Sequence, residues 1–341
     1  MASELKIFTA QALKEANPQP PQFIIDKVLP AGFVMFAAPP KTGKSWLCLS
    51  IADAIAEGHS FWGFQTVKGS VLYLALEDSD YRLNSRLNLI GSRRPPNLQL
   101  AIHGADTIGA GLIEQMSKWA DENNDARLIV IDTLGRVKGA GKPGMNAYEN
   151  DTLMFSPLQQ FAVKRKLCIV GVTHFSKAKN ISLDDPFERI TGSMGAFGVA
   201  DAAWILYGKR GEEQTLKITG RDITDADYKV KFENFTWELI GNSEELENQR
   251  RIDEYKRSGL VKTICALVQQ QGFWEGTATQ LLNEVCEREK YCPITNTRDI
   301  GKYIRLYREQ LEAIDGIGYY QKGGGRKGRA YRFNVVKPPL L

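Results

Sequence analysis

The pattern of apolar positions gives the first outline of the chain. Four segments, 33–37, 70–76, 127–133 and 167–173, hold short unbroken apolar runs. Runs without polar alternation read as strands buried on both faces. Between them apolar residues recur at helical spacing. Trp46, Leu47, Leu49, Ile51, Ala52 and Ile55 mark one helix, which Gly58 stops. Further helices are predicted over about 109–123 and 151–166, with a basic one carrying Arg82 and Arg86 and a short strand at 98–103. Segments 200–207, 214–219 and 228–239 read as antiparallel strands. Alternation of this kind predicts an α/β fold: a mostly parallel sheet with helices on both faces and an antiparallel edge.

The pattern changes after residue 240. The polar, acidic stretch 241–249 reads as a linker. Three helices follow, over 251–271, 277–288 and 299–314, and then two short strands flank the basic glycine-rich tip 323–329. Helices followed by such a hairpin predict a small α+β winged helix-turn-helix domain. In the third helix Ile300, Ile304, Tyr307, Leu311 and Ile314 form a core stripe. The expected organisation is an arm at 1–30, an α/β domain at 31–240, the linker, and a winged-helix domain at 250–341. The arm contains Pro18, Pro20 and Pro21 and cannot be helical there.

Composition narrows the class. A hydrophobic share of 43% with 25% charged residues is that of a globular protein in water. No run approaches the ~20 apolar residues of a membrane span. The N-terminus lacks a basic segment followed by an apolar core, and the five cysteines are scattered. A cytoplasmic setting with no membrane and no zinc site is expected. The net charge of +4 is uneven, because residues 245–341 hold 17 Lys/Arg against 12 Asp/Glu. That excess predicts a polyanionic partner for the C-terminal part.

The chemistry centres on Phe33–Ser45, FVMFAAPPKTGKS: a buried strand, a tight loop with Gly-Lys-Ser, then a helix. This is the context of a phosphate loop, in which loop amides and the helix end face phosphates. Pro40, Lys41, Thr42, Gly43, Lys44, Ser45 and Trp46 are the expected nucleotide contacts. Lys44 would reach the β- and γ-phosphates and Ser45 would ligate Mg²⁺. Ala38 stands where such loops normally begin with glycine, so its φ must stay negative. Glu77 follows the second strand, where a carboxylate can orient the attacking water. It or Asp78 is also expected to cap the next helix. Asp132 ends the third strand and suits a metal shell. His174 ends the fourth, at the same sheet edge, as a sensor of the γ-phosphate. Segments 135–150 and 178–189 read as polar loops, the first of them mobile. In the C-terminal part Lys302, Arg305 and Arg308 lie off the core stripe, and Arg326, Lys327 and Arg329 occupy the hairpin tip. All six are candidates for DNA contact.

In order, AAPPKTGKSWL, VLYLALEDS, LIVIDT, VTHFSK and ITGRD resemble the RecA-like ATPases of the RepA type, hexameric replicative helicases of plasmids, phages and mobile elements. The resemblance covers about residues 20–240. It implies a RecA-like P-loop core, a homo-hexameric ring, ATP and Mg²⁺ between subunits, and single-stranded DNA in the central channel. It implies that Arg221 is a finger reaching the neighbour's nucleotide, with Arg86 in a similar part. Loops 135–150 and 178–190, with Lys142 and Lys177, would line the channel, and the winged helix would touch duplex DNA. The expected activity is an ATP-driven DNA helicase or translocase in replication. Two rivals are a DNA-binding ATPase switch (a recombination mediator, loader or regulator) that does not unwind, and an ATPase whose C-terminal domain binds protein.

Overall fold

The computed structural model describes residues 7–174, 194–209, 211–288, 294, 296–325 and 328–336. The chain divides into two compact units, Met1–Ser243 and Glu244–Leu341. The first contains α1 (Ala10–Ala16), β1 (Phe23–Ile25), β2 (Leu29–Pro30), β3 (Gly32–Ala38), α2 (Lys44–Glu57), β4 (Ser70–Ala75) and α3 (Asp80–Leu89). It continues through β5 (Leu98–Ala101), α4 (Leu112–Glu122), β6 (Ala126–Asp132), α5 (Leu134–Val137), α6 (Ala147–Arg165), β7 (Cys168–His174) and α7 (Met194–Val199). It closes with β8 (Ala202–Gly208), β9 (Gln214–Gly220), β10 (Ala226–Glu233) and β11 (Thr236–Asn242).

Nine strands form one sheet in the order β11-β10-β9-β8-β3-β7-β6-β4-β5. The six from β8 to β5 run parallel, and β9, β10 and β11 extend one edge antiparallel. Strand β7 thus lies between β3, which leads into the phosphate loop, and β6. Side chains alternate across the sheet as strand geometry requires. Val34, Phe36 and Ala38 of β3 join the core under α2 and α3, whereas Phe33, Met35 and Ala37 join the core under α4 and α6. Both faces are therefore covered, and the strand ends are where polar side chains collect.

Several elements differ from the expected ones. The segment 200–207 is not antiparallel to its neighbours on both sides: β8 pairs parallel with β3 and antiparallel only with β9. The segment 228–239 is a hairpin of two strands turned at Asn234 and Phe235, with φ of 50° and 63°. Positive φ at both central residues matches the twist of a two-residue hairpin. Phe235 holds this unfavoured conformation while packing on Trp46 at 5.3 Å. The loop after β6 is stitched down as well. Lys142 N–H donates to Asn150 Oδ1 at 2.7 Å, and Asn150 Nδ2 donates to Met145 O at 3.0 Å. The expected linker 241–249 is instead the end of β11 and the start of a helix.

That helix is α8 (Ser243–Arg257), followed by α9 (Gly259–Gln271), β12 (Phe273–Thr277), α10 (Ala278–Arg288), α11 (Thr297–Leu306), α12 (Arg308–Ala313), β13 (Ile317–Gly325) and β14 (Gly328–Val335). Two helices read as continuous are broken, at Ser258 and at Tyr307, where the backbone leaves helical geometry. Strand β12, which the sequence reading missed, completes an antiparallel sheet β12-β14-β13. Trp274, Phe333 and Tyr331 of this sheet pack with Leu260, Ile264, Ile300 and Leu311 into a core of its own. No helix among the described residues is long and apolar enough to cross a membrane.

Candidate functional site

The phosphate loop closes without the usual first glycine because that position needs no left-handed backbone. Ala38 simply ends β3. The positive-φ positions are Lys41 (62°) and Gly43 (96°). At Gly43 the left-handed backbone favours glycine, and an added Cβ would also stand a tight 3.3 Å from the Trp237 ring. Trp237 Nε1 donates to Gly43 O at 3.0 Å, so the antiparallel edge of the sheet holds the loop from outside. Helix α2 starts at Lys44, leaving its first N–H groups directed at the loop.

Lys44 is 5% exposed. Its Nζ donates to Ala38 O at 3.0 Å, to Pro39 O at 2.8 Å and to His174 Nδ1 at 2.9 Å. Burial brings its pKa down from 10.5 to about 8, against the opposing pull of Asp132, Cys48 and Glu77. Burial, then the charge of Lys44, lowers the pKa of His174, so the imidazole is neutral at neutral pH. With Nδ1 accepting from the ammonium, the ring proton sits on Nε2 and can be donated.

Asp132 is buried at the end of β6, where burial raises its pKa. Tyr73 donates its hydroxyl to Asp132 Oδ2 at 3.0 Å, and the Ser45 side chain, beside the same carboxylate, opposes that rise. A hydroxyl beside a carboxylate is an oxygen donor pair suited to Mg²⁺, which keeps its other positions for water and phosphate. The residues therefore fit the ion. Glu77 Oε1 accepts from Thr133 Oγ1 at 3.1 Å and faces Arg136 Nε at 3.4 Å. Neither Glu77 nor Asp78 caps α3. Ser79 does, and Asp78 instead pairs with Arg86 at 2.5 Å and Arg82 at 3.2 Å.

These groups surround one cavity of about 490 Å³, lined by Pro40, Lys41, Thr42, Gly43, Lys44, Ser45 and Trp46 together with Glu77, Asp132, Thr133 and His174. The volume is within the usual ~300–1,000 Å³ of small-molecule sites. Arg86 and Phe232 complete the lining. Trp46 meets Phe235, Phe232 at 6.0 Å and the Arg86 guanidinium at 5.3 Å, so one wall is aromatic. Sequence reasoning missed Tyr73, Thr133, Arg136 and Trp237. Tyr73 alone left a signal, as the one polar-tipped side chain inside an otherwise aliphatic strand.

Arg221 is not in this cavity. Its Nη1 lies 3.3 Å from Asp201 Oδ1 and its Nη2 donates to Gly198 O at 3.1 Å. Asp201 Oδ2 also accepts from Phe33 N–H at 2.9 Å, at the opposite end of β3 from the phosphate loop. Five residues of strand, roughly 17 Å, separate the two ends. Arg86, in contrast, lines its own chain's cavity. Among the other basic candidates, Lys142 is exposed on the loop before α6. Lys138, by contrast, is tied to the buried Asp151 at 2.5 Å. Lys302 and Arg305 of α11 and Arg308 of α12 are exposed on the second unit. Arg329 falls within β14. Lys177, Arg326 and Lys327, with the loop 178–190, lie outside the described residues.

A sequence model of a family described as "AAA domain" matches residues 2–180. No curated protein matches the chain. Among solved structures, one titled "ATPase Domain of G40P" aligns with a TM-score of 0.49 at 14% identity, over 62% of this chain and 85% of that one. Another, titled "The Structure Of A DnaB-Like Replicative Helicase And Its Interactions With Primase", also aligns at 0.49 and 14% identity, over 61% of this chain and 58% of that one.

Proposed function

The chain belongs to the AAA domain family of ATPases, and from that premise we propose that it hydrolyses Mg²⁺-ATP in a ring of identical subunits that works on DNA. The observation that carries the ATPase part is the convergence of Lys44, Ser45, Glu77, Asp132 and His174 on one cavity from four adjacent parallel strands. In this reading the amides of Lys41 to Lys44 and the Lys44 ammonium hold the β- and γ-phosphates. Ser45 and Asp132 hold Mg²⁺, which offsets charge on the phosphates. Glu77 orients the attacking water, and His174 donates Nε2–H to the γ-phosphate. ATP must displace the two carbonyls from Lys44, replacing neutral acceptors with anionic ones.

The place of Arg221 supports the ring. It sits at the sheet end opposite its own cavity, so a role on nucleotide requires the cavity of another copy. Arginine fingers of this kind contribute about 10³–10⁵ in rate. In this proposal single-stranded DNA passes the exposed Lys142 loop in the channel. The order helix, strand, three helices (the last of six residues) and hairpin in the second unit supports a winged helix, with Lys302, Arg305 and Arg308 exposed. Translocation or unwinding in replication, in the manner of RepA-type helicases of plasmids, phages or mobile elements, is the activity that uses all these parts.

Lys44→Ala is expected to end ATP turnover, and Arg221→Ala should do so only through its neighbour. Mixing the two inactive proteins should restore partial turnover; no restoration would refute the shared site. One observation favours a second reading: Glu77 Oε1 is engaged by Thr133 and Arg136. A DNA-gated switch that hydrolyses without unwinding would be built this way. Strand displacement on a forked duplex separates the two readings.

A further inference from the structure

The second unit carries a surface that its own core does not use. In the sheet β12-β14-β13, Trp274, Phe333 and Tyr331 face the helices. The alternate residues face away, and the pairing fixes their layout. Glu275, Arg332 and Tyr320 stand in one cross-strand row, with Phe273 one step to one side and Lys322 one step to the other. Phe273 is 48% and Tyr320 54% exposed, and the two rings share this face. The Arg332 guanidinium lies over the Phe273 ring at 5.2 Å. Arg332 and Lys322 flank Glu275, at 3.6 and 3.2 Å.

We infer that this outer sheet face is a stacking platform for single-stranded nucleic acid. The inference rests on the DNA reading above and names a contact surface separate from both the ring channel and the α11–α12 side. Strand spacing and rise put the two rings roughly 12 Å apart across the grid, about two steps of an extended single strand. Bases of a single strand offer free π-faces to Phe273 and Tyr320, and their phosphates offer acceptors to Arg332 and Lys322. A duplex buries those faces in its own stack. A protein partner is disfavoured, because Glu275 and Lys322 sit in the grid, and these two residue types are depleted at protein interfaces. Charge agrees with the choice, since after Asp315 the chain holds six basic residues and no acidic one.

The test uses the full chain and a (dT)₁₂ oligonucleotide carrying 5-iododeoxyuridine. Photo-cross-links are expected on Phe273 or Tyr320. Phe273→Ala and Tyr320→Ala should each weaken binding by about 5- to 150-fold, from the ~1–3 kcal/mol of a base–aromatic stack. Phe273→Trp and Tyr320→Phe keep a ring and should bind as the parent does. Glu275→Gln leaves both cations without their anion, so binding should tighten and fall more steeply with salt. ATP turnover without DNA should be unchanged in all five, because none of these residues lines the nucleotide cavity. Cross-links confined to residues before 244, or alanine variants that bind normally, would overturn the platform and leave the DNA reading standing. A parent protein that binds no oligonucleotide would remove both.

Discussion

Lys44 ties nucleotide affinity to pH, and the size of the effect can be worked out. In the free chain its pKa is about 8, because burial disfavours the ammonium more than Asp132 supports it. Bound phosphates surround the ammonium with anions and hold it charged, at or above its ordinary 10.5. Moving from 8 to 10.5 corresponds to about 3.4 kcal/mol of coupling between proton and nucleotide. The sign follows from the direction. A lysine with a lowered pKa opposes folding while it is charged, so its contribution to stability improves as pH rises from 8 toward 10.5. Nucleotide binding runs the other way, since above pH 8 the ligand must first recruit a proton. The dissociation constant for an ATP analogue should therefore rise about tenfold between pH 7 and pH 9. Calorimetry in buffers of different ionisation enthalpy should show uptake of about half a proton at pH 8. Lys44→Arg stays charged throughout and should bind more weakly but with a flat profile. Equal wild-type affinity at pH 7 and pH 9, with no proton uptake, would refute the reasoning.

Three further outcomes test the supports of the site. Asp201→Ala removes the acceptor of Phe33 N–H, Gln159 and Arg221 together; an unsatisfied buried donor costs about 1–3 kcal/mol, so melting should fall by roughly 2–10 °C. Trp237→Phe deletes the bond to Gly43 O but keeps the ring; nucleotide affinity should drop about 2- to 10-fold with little change in melting temperature. Arg136→Ala frees one side of Glu77; DNA-independent turnover should rise with KM unchanged, whereas Thr133→Ala combined with Arg136→Ala should raise it further, and falling rates in both would show that these residues support the water-orienting pose.

The α/β core was legible because strands buried on both faces leave no alternation, and six of the nine strands are of that kind or close to it. The cavity was legible for the same reason: Lys44, Glu77, Asp132 and His174 each follow an apolar run, and parallel order brings such run ends to one edge. What pairs with those residues was not legible. Thr133 and Arg136 reach Glu77 from a helical turn too short to leave a periodic signature, and Trp237 reaches Gly43 from the distant edge strand. The hairpin turn at Asn234 and Phe235 was read through as strand because phenylalanine is a poor predictor of left-handed backbone. The breaks at Ser258 and Tyr307 passed unnoticed because core stripes continue across them.

The bond between Trp237 and Gly43 spans 194 positions of sequence. During synthesis the phosphate loop leaves the ribosome long before the strand that braces it. A nascent chain ending near residue 180 would contain the whole segment matched by the AAA domain family and still lack β8 to β11. Such an intermediate would carry a loop whose left-handed Gly43 has no brace and a Trp46 without its hairpin cover. On this account the full nucleotide affinity of the loop is expected only once the last strands of the sheet have been made.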